Sequence, residues 1–395
     1  MKRIVLAFSG GLDTSVALVW LRETYQCPVT AFIADVGQNE DLEAIGRRAE
    51  QLGADGVHIL DLREEFARDY VFPMHRADAR YEGQYLLGSP IARPLIAAAQ
   101  IRVAEEVGAD AVAHGCTGKG NCQARFELAY AALRPDIKII VPWREWDLGG
   151  RTDLLAYADK RGIELDFSSG ERPYSIDANL LHTCYEGEVL EDPAVAPPAG
   201  LRQRVRDIAD TPEEPEILRI GFERGDPVTV NDDRLAPAEL LYVLGEIGSR
   251  HGIGRLDMVE NRINGIKTRT VSEAPAGTLL WHAHRAVQTL VLDPEVSALK
   301  EELAPRYARY VYNGLWFAPE RQMLQAAIDF SQQDVTGEVT LELHRGNVQV
   351  LGRTSPNSRY DTSYATFEAD NVFDQRDSSG WLRVNMVRFR LGRST

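Results

Sequence analysis

The chain has 395 residues, 44% hydrophobic and 26% charged, an ordinary globular composition and long enough for roughly two to three domains. A net charge of −15 lacks the Lys/Arg field of a large nucleic-acid surface, yet leaves room for a small anion in a local pocket. No run reaches the roughly 20 apolar residues of a membrane span, the apolar stretch after Met-Lys-Arg is too short for a secretory leader, and Cys27, Cys116, Cys122 and Cys184 make no disulfide framework; the expectation is a cytoplasmic protein with neither nucleic-acid nor membrane partners.

The first apolar run, residues 4–8, passes directly into Ala7-Phe8-Ser9-Gly10-Gly11-Leu12-Asp13-Thr14-Ser15. The glycines let backbone approach a ligand, and the helix that follows offers unpaired N–H groups and a positive dipole end. Ser9, Thr14 and Ser15 add hydroxyls, and Asp13 can meet a bound cation. A capped strand-to-helix turn uses the same residue types, but their coincidence after a first strand points to nucleotide phosphate. The loop is neither a Walker sequence nor a G-x-G-x-x-G turn.

Further strands are expected at 29–33, 57–60, 111–113 and 137–141, with helices at 42–52, 93–107 and 152–161, and Pro94 placed in a first helical turn. This alternation predicts an α/β domain built on a doubly wound parallel sheet, with the Ser-Gly-Gly turn, Ala34-Asp35 and His114-Gly115 on one edge. Residues 191–215, rich in Pro, Ala, Asp and Glu, read as an exposed loop or linker. Beyond it, a hairpin at 216–222 and 228–230, helices at 237–251, 279–290, 296–312 and 319–333, and a second hairpin at 338–344 and 348–353 describe an α+β half. The boundaries drawn are 1–167 for the nucleotide domain, 168–360 for a substrate and oligomerisation domain, and 361–395 for a tail. Cys116, Cys122 and Cys184 with His114 and His182 could offer soft metal ligands, but their spacings match no zinc pattern and no metal site is expected from them.

Ser9–Ser15 resembles the N-type ATP pyrophosphatase loop, and the likeness becomes far more specific along the chain. Ala34-Asp-Val-Gly-Gln38, Tyr81-Glu-Gly-Gln-Tyr85, Ala92-Arg93-Pro94, Thr117-Gly-Lys119-Gly-Asn121, Arg125-Phe-Glu127, Pro142-Trp143-Arg-Glu-Trp146, Pro173-Tyr-Ser175-Ile-Asp177, Leu190-Glu-Asp-Pro193, Val259-Glu260-Asn-Arg262 and Tyr312-Asn-Gly-Leu-Trp316 resemble argininosuccinate synthase in order over nearly the whole chain. The resemblance implies an adenine nucleotide α-hydrolase-like domain, a homotetramer, and ATP with Mg²⁺. It implies joining of a ureido acid to aspartate, with ATP split to AMP and pyrophosphate. It places Ala7–Ser15, Ala34 and Gly115 on ATP, Thr117 and Asn121 on the amino donor, and Tyr85, Asn121, Arg125, Ser175 and Glu260 on the ureido acid. Asp13, Arg93, Lys119, Asn121 and Arg125 form the implied catalytic group. Read as chemistry, Arg125 is a carboxylate clamp and Glu260 a partner for an α-ammonium; Tyr85 and Trp143 serve equally well as core or interface residues.

Several substrate positions depart from the family. Cys122 stands where a carboxylate is expected opposite the aspartate ammonium, Ser89-Pro90 where the family has Thr-Ser, Cys184 where it has serine, and Ser272 where it has tyrosine. Removing a charged hydrogen-bond partner from a buried site typically costs about 1.5–3 kcal/mol. With the nucleotide positions intact, the expectation is a divergent relative of specialised metabolism that holds altered amino-acid-like substrates. The ordinary enzyme, and an ATP-binding protein without catalysis, are the alternatives.

Overall fold

A computed structural model describes residues 1–118, 120–164, 174–368, 372 and 374–391. Lys119 and the boundary expected at 167/168 lie outside these residues.

Strands β1 (Ile4–Ala7), β2 (Val29–Asp35), β3 (Gly56–Asp61), β4 (Ala111–His114) and β5 (Lys138–Ile140) form a parallel sheet of order β3-β2-β1-β4-β5. Residues of β1 alternate between two cores: Ile4 and Leu6 pack with Val16, Leu18, Leu21 and Leu154, whereas Val5 packs with Leu95, Ala99 and Val103 of the Gly88–Glu106 helix. Helices cover both faces, so these short strands are apolar throughout rather than alternating with polar residues. The strand order reverses between β1 and β4, and Ala7 lies in register with Phe32 on one side and His114 on the other. A crevice at such a switch point, beyond the strand C-termini, is where doubly wound sheets take ligands.

The second half carries two antiparallel sheets. β6 (Ser175–Ala178), β7 (Thr183–Glu186), β11 (Arg255–Asn261) and β12 (Lys267–Glu273) give the order β11-β12-β7-β6. β8 (Glu216–Glu223), β9 (Asp226–Val230), β10 (Asp233–Arg234), β13 (Gly337–His344) and β14 (Asn347–Thr354) give the order β10-β9-β8-β13-β14. Each long helix here begins on a proline, at Pro237, Pro275, Pro294 and Pro319, where a fixed φ and a missing N–H cost nothing.

Three expectations need correction. The helix placed at 93–107 begins at Gly88, so Pro94 lies inside it rather than in its first turn. The helix placed at 279–290 spans Pro275–Val291. The segment 191–215 is not merely an exposed linker: Leu201 and Val205 are buried, and the Glu273 carboxylate accepts the backbone N–H groups of Gln203, Arg204 and Val205 at 3.3, 3.0 and 3.0 Å. A buried carboxylate thus satisfies backbone that its composition assigns to solvent. The four-stranded sheet is absent from the strand pattern read above, because buried polar residues such as Glu260, Thr270 and Ser272 break its apolar runs. Beyond β14, the Asp377–Val387 helix has no buried residue, and Trp381, Val384 and Phe389 are exposed. Among the described residues no helix is long and apolar enough to cross a membrane.

Candidate active site

The phosphate loop is built by β1 and the Leu12–Tyr25 helix. Gly11 is the N-cap and no side chain caps it, which leaves the first helical N–H groups aimed into the crevice. The Ser9 N–H donates to Thr14 Oγ1 at 3.3 Å, and Thr14 Oγ1 donates to the Gly11 carbonyl at 3.3 Å, fixing the loop's curvature. Ser15 Oγ is buried with no partner. Asp13 makes no side-chain hydrogen bond among the described residues, and burial holds its carboxyl above the usual range against the pull of Arg151. Gly115, just past β4, approaches so closely that a Cβ there would sit 2.8 Å from Thr14 Cγ2. Gln38 Nε2 donates to the Ala34 carbonyl at 2.8 Å, closing the turn after β2. The structure therefore gathers Ala7–Ser15, Ala34 and Gly115 on one edge, as the strand pattern predicts.

The Leu180 N–H donates to the Val36 carbonyl at 2.7 Å, tying the four-stranded sheet to this edge. In that sheet Asp177, Cys184 and Ser272 lie directly opposite one another on β6, β7 and β12. Opposed residues share a sheet face, so three side chains form one row. Ser175 stands opposite Glu186 and is exposed on the edge strand. Cys184 Sγ lies 3.5 Å from Ser89 Oγ, and His182 Nε2 lies 3.2 Å from Ser89 Oγ and 3.3 Å from Tyr85 Oη. Burial drives His182 down to about 4, so the ring is neutral near pH 7 and organises hydroxyls rather than carrying charge. Gly88 makes this possible: a Cβ there would fall 2.1 Å from the His182 ring. Pro90 is buried in the following turn. Tyr85 is 4% exposed within the cluster, whereas Trp143 packs beside Trp146 in the nucleotide domain's core.

Arg125, 4% exposed, donates through Nε to the Tyr312 carbonyl at 2.9 Å and lies 4.8 Å over the Tyr312 ring. Asn121 Nδ2 donates to Tyr312 Oη at 2.9 Å, and its Oδ1 accepts the Ile263 N–H at 3.0 Å. Glu260 accepts from Thr270 Oγ1 at 3.2 Å, while its Oε2 is buried without a partner. Burial pushes Glu260 up to about 7, opposed by Arg125 and reinforced by Glu186. A buried carboxylate with an unused oxygen is equipped to receive an ammonium group. Thr117 lies partly exposed in the turn closed by the Gly120 N–H on its carbonyl at 3.3 Å.

Arg93 Nη2 donates to Asp177 Oδ2 at 2.5 Å. Among the described residues no group of three or more His, Cys, Asp or Glu side chains could hold a metal ion. Tyr312, Asp177 and Glu186 stand in the site without having been given a role from sequence, and His182, read there only as a possible soft ligand, orders hydroxyls instead. Tyr312 and Asp177 lay within quoted motifs; Glu186 carried no signal of its own.

A nucleotide-type crevice at the switch point of the parallel sheet adjoins a pocket of buried Arg, Glu and Tyr side chains, an arrangement suited to an enzyme acting on small molecules. Residues 3–164 match the argininosuccinate synthase N-terminal HUP domain, and residues 174–391 match the C-terminal domain of the same family. The chain is 56% identical to an argininosuccinate synthase of Zymomonas mobilis over 99% of its own length and 97% of the relative's. It is 54% identical to that of Campylobacter curvus over 98% and 97%, and 53% identical to that of a Nitratiruptor species over 98% and 96%. The chain belongs to the argininosuccinate synthase family, whose members are ATP-using carbon–nitrogen ligases.

Proposed function

We propose that this chain condenses citrulline with aspartate at the expense of ATP, releasing AMP and pyrophosphate. The observation that carries the reading is near-full-length identity to relatives bearing the synthase name, with the phosphate loop intact. In this reading residues 1–167 hold the nucleotide, residues 168–360 hold the amino acids and build the assembly, and 361–395 form an arm of a cytoplasmic homotetramer. The exposed apolar side chains of the Asp377–Val387 helix support that arm, since a lone chain gains nothing by showing them to water.

The ureido oxygen attacks the α-phosphorus, pyrophosphate leaves in line, and the donor amine then displaces AMP. No protein nucleophile is required, so the residues' work is alignment and charge stabilisation. Leu12–Thr14 backbone N–H groups and the unpartnered Ser15 hydroxyl donate to phosphate oxygens, with Ala7, Phe8, Ala34 and Gly115 walling the nucleotide. Arg125 clamps the ureido acid's carboxylate, Glu260 takes its ammonium, and Tyr85, Ser89, Pro90, Ser175, Cys184 and Ser272 line the pocket. Thr117 and Asn121 take the donor, and Lys119 belongs to the same loop. Asp13, carboxylate-bearing and unbonded within the loop, fits a Mg²⁺ ligand; the ion would neutralise charge on the departing pyrophosphate.

The carboxylate missing at Cys122 has a neighbour that serves in its place. Glu186, about one-third exposed, interacts electrostatically with Cys122 and stands 3.4 Å from Arg262. A donor ammonium can therefore still meet a carboxylate. A second reading, altered substrates, draws on a different observation: the changed positions Ser89, Cys184 and Ser272 are contiguous in space. Product analysis separates them. Argininosuccinate formed from citrulline and aspartate, one per pyrophosphate, supports the first; pyrophosphate release only with another acid pair supports the second.

A further inference from the structure

Away from the nucleotide crevice and the pocket of Tyr85, Arg125 and Glu260, a cavity of about 510 Å³ opens between the turn at residues 78–83 and the helices Pro275–Val291 and Pro294–Tyr312. Trp281, Leu292, Ala304 and Pro305 give it an apolar wall, and Arg80, Arg285 and Lys300 bring cationic side chains to it. A concavity of this size, apolar with a few converging polar groups, is built like a small-molecule site.

The chain already uses the charge of Lys300 and Arg285. Lys300 Nζ donates to the Asp78 carboxylate, which also accepts from Gln288 Nε2 at 3.0 Å and pairs with His284 Nδ1 at 2.9 Å. Arg285 Nη2 donates to Glu301 Oε1 at 2.9 Å. Glu82, the remaining acid on the wall, accepts from the Asn261 side-chain amide. Arg80 differs. Among the described residues its side chain makes no hydrogen bond and no ion pair, and its guanidinium carbon lies 4.0 Å over the Trp281 ring. Burial, and Arg285 after it, hold the Arg80 guanidinium below its ordinary range, with Asp78 pulling the other way. Stacking on Trp281 sets the plane of the guanidinium and leaves its N–H fork unspent, the geometry that takes a carboxylate or phosphate through two parallel bonds. We propose that this cavity is a second ligand site, which takes a small oxyanion (a carboxylate or a phosphate) on Arg80 and adjusts the Tyr85–Arg125–Glu260 pocket through Tyr81.

The link to that pocket is one residue long. The Tyr81 N–H donates to the Tyr85 carbonyl at 2.8 Å and the Tyr85 N–H donates back at 3.0 Å, so the turn carrying Arg80 closes on a pocket residue. The Tyr81 ring stacks on that of Tyr312 with centroids 3.6 Å apart, and its hydroxyl donates to the Asn261 carbonyl at 2.8 Å. Tyr312 in turn accepts from Asn121 through its hydroxyl and from Arg125 through its carbonyl. An anion that draws Arg80 toward the cavity shifts Tyr81 against Tyr312, and so loosens the seat of Asn121 and Arg125. Linkage makes the effect reciprocal: what the anion does to ureido-acid affinity, the ureido acid does to anion affinity.

The effect on the pocket rests on the proposed ligase reading; binding in the cavity does not. Inorganic phosphate and isovalerate are titrated separately, by calorimetry, into full-length protein saturated with ATP. At least one should bind saturably, and the tighter of the two shows which oxyanion the cavity prefers. Arg80→Gln should weaken that binding about tenfold or more, with Arg80→Lys restoring part of it. Ala304→Phe fills the cavity and leaves every charge in place, so it should abolish binding even if the Arg80 variants fold poorly. In steady state at saturating ATP, the tighter anion should raise the KM for citrulline on the order of fivefold with kcat unchanged, and Arg80→Gln or Ala304→Phe should remove that rise. No saturable binding of either anion, binding that survives Arg80→Gln and Ala304→Phe, or a citrulline KM untouched by the bound anion overturns the proposal. If the protein releases no pyrophosphate with citrulline and aspartate, the ligase reading fails, and the calorimetry of the wild type and the variants still decides the site.

Discussion

Glu260 shows most directly how one side chain's surroundings set its use. Its pKa of about 7 lies above the ordinary 4.5 because burial penalises the carboxylate. The folded chain therefore binds a proton that the unfolded chain has already released. The free protein loses stability as pH rises from roughly 4.5 to 7, and an ammonium ligand reverses that loss by favouring the anion. The KM for the ureido acid should fall as pH is raised from roughly 6 to 8, and Glu260→Gln should flatten the profile while raising KM. A wild-type KM independent of pH in that window counts against Glu260 as the ammonium partner. Position 122 carries a second residue-scale prediction. Cys122→Asp adds a carboxylate beside Arg93 and the donor corner, so the KM for aspartate should drop by roughly tenfold, the equivalent of one charged hydrogen bond. Unchanged aspartate kinetics would mean that Glu186 already satisfies the ammonium.

At the scale of elements, Gly115, just past β4, sits against Thr14 of the helix that follows β1. Gly115→Ala places a methyl 2.8 Å from Thr14 Cγ2, and relief of such overpacking typically costs about 1–3 kcal/mol. Calorimetry should show ATP affinity reduced about tenfold or more, with the thermal midpoint only modestly lowered. An unchanged nucleotide affinity would remove Gly115 from the ATP wall. The five parallel strands and their loop edge were legible in the sequence because a sheet buried on both faces writes short apolar runs. The Gly88 start of its helix was not legible, since Gly88-Ser-Pro90 reads as a turn until the His182 ring beside it demands the missing Cβ. Nor was the four-stranded sheet: Asp177, Glu186 and Glu260 interrupt the period-two pattern because they face a pocket, and contacts in that pocket span up to 191 residues, as for Asn121 and Tyr312. The motif residues were visible; their contacts were not.

In the proposed reading, the molecule divides its work between a crevice for ATP and a pocket assembled from distant segments. Away from both, Arg76 ties the two halves of the chain together, bonding Asp329 at 2.9 Å and Asp226 at 2.5 Å. The tail is the part that the single chain leaves unused. Truncation after Tyr360 should leave the monomer's fold intact and lower the mass seen by light scattering from a multiple of the chain mass toward one or two chains. An unchanged assembly would assign the arm no role in it. The central claim, adenylyl activation of a ureido acid by this phosphate loop, is tested most directly by following ATP in the presence of Mg²⁺, citrulline and aspartate. The account predicts AMP, pyrophosphate and argininosuccinate in equal amounts, with none formed when citrulline is withheld. ADP with orthophosphate, or no turnover of bound ATP with any acid pair, would contradict it.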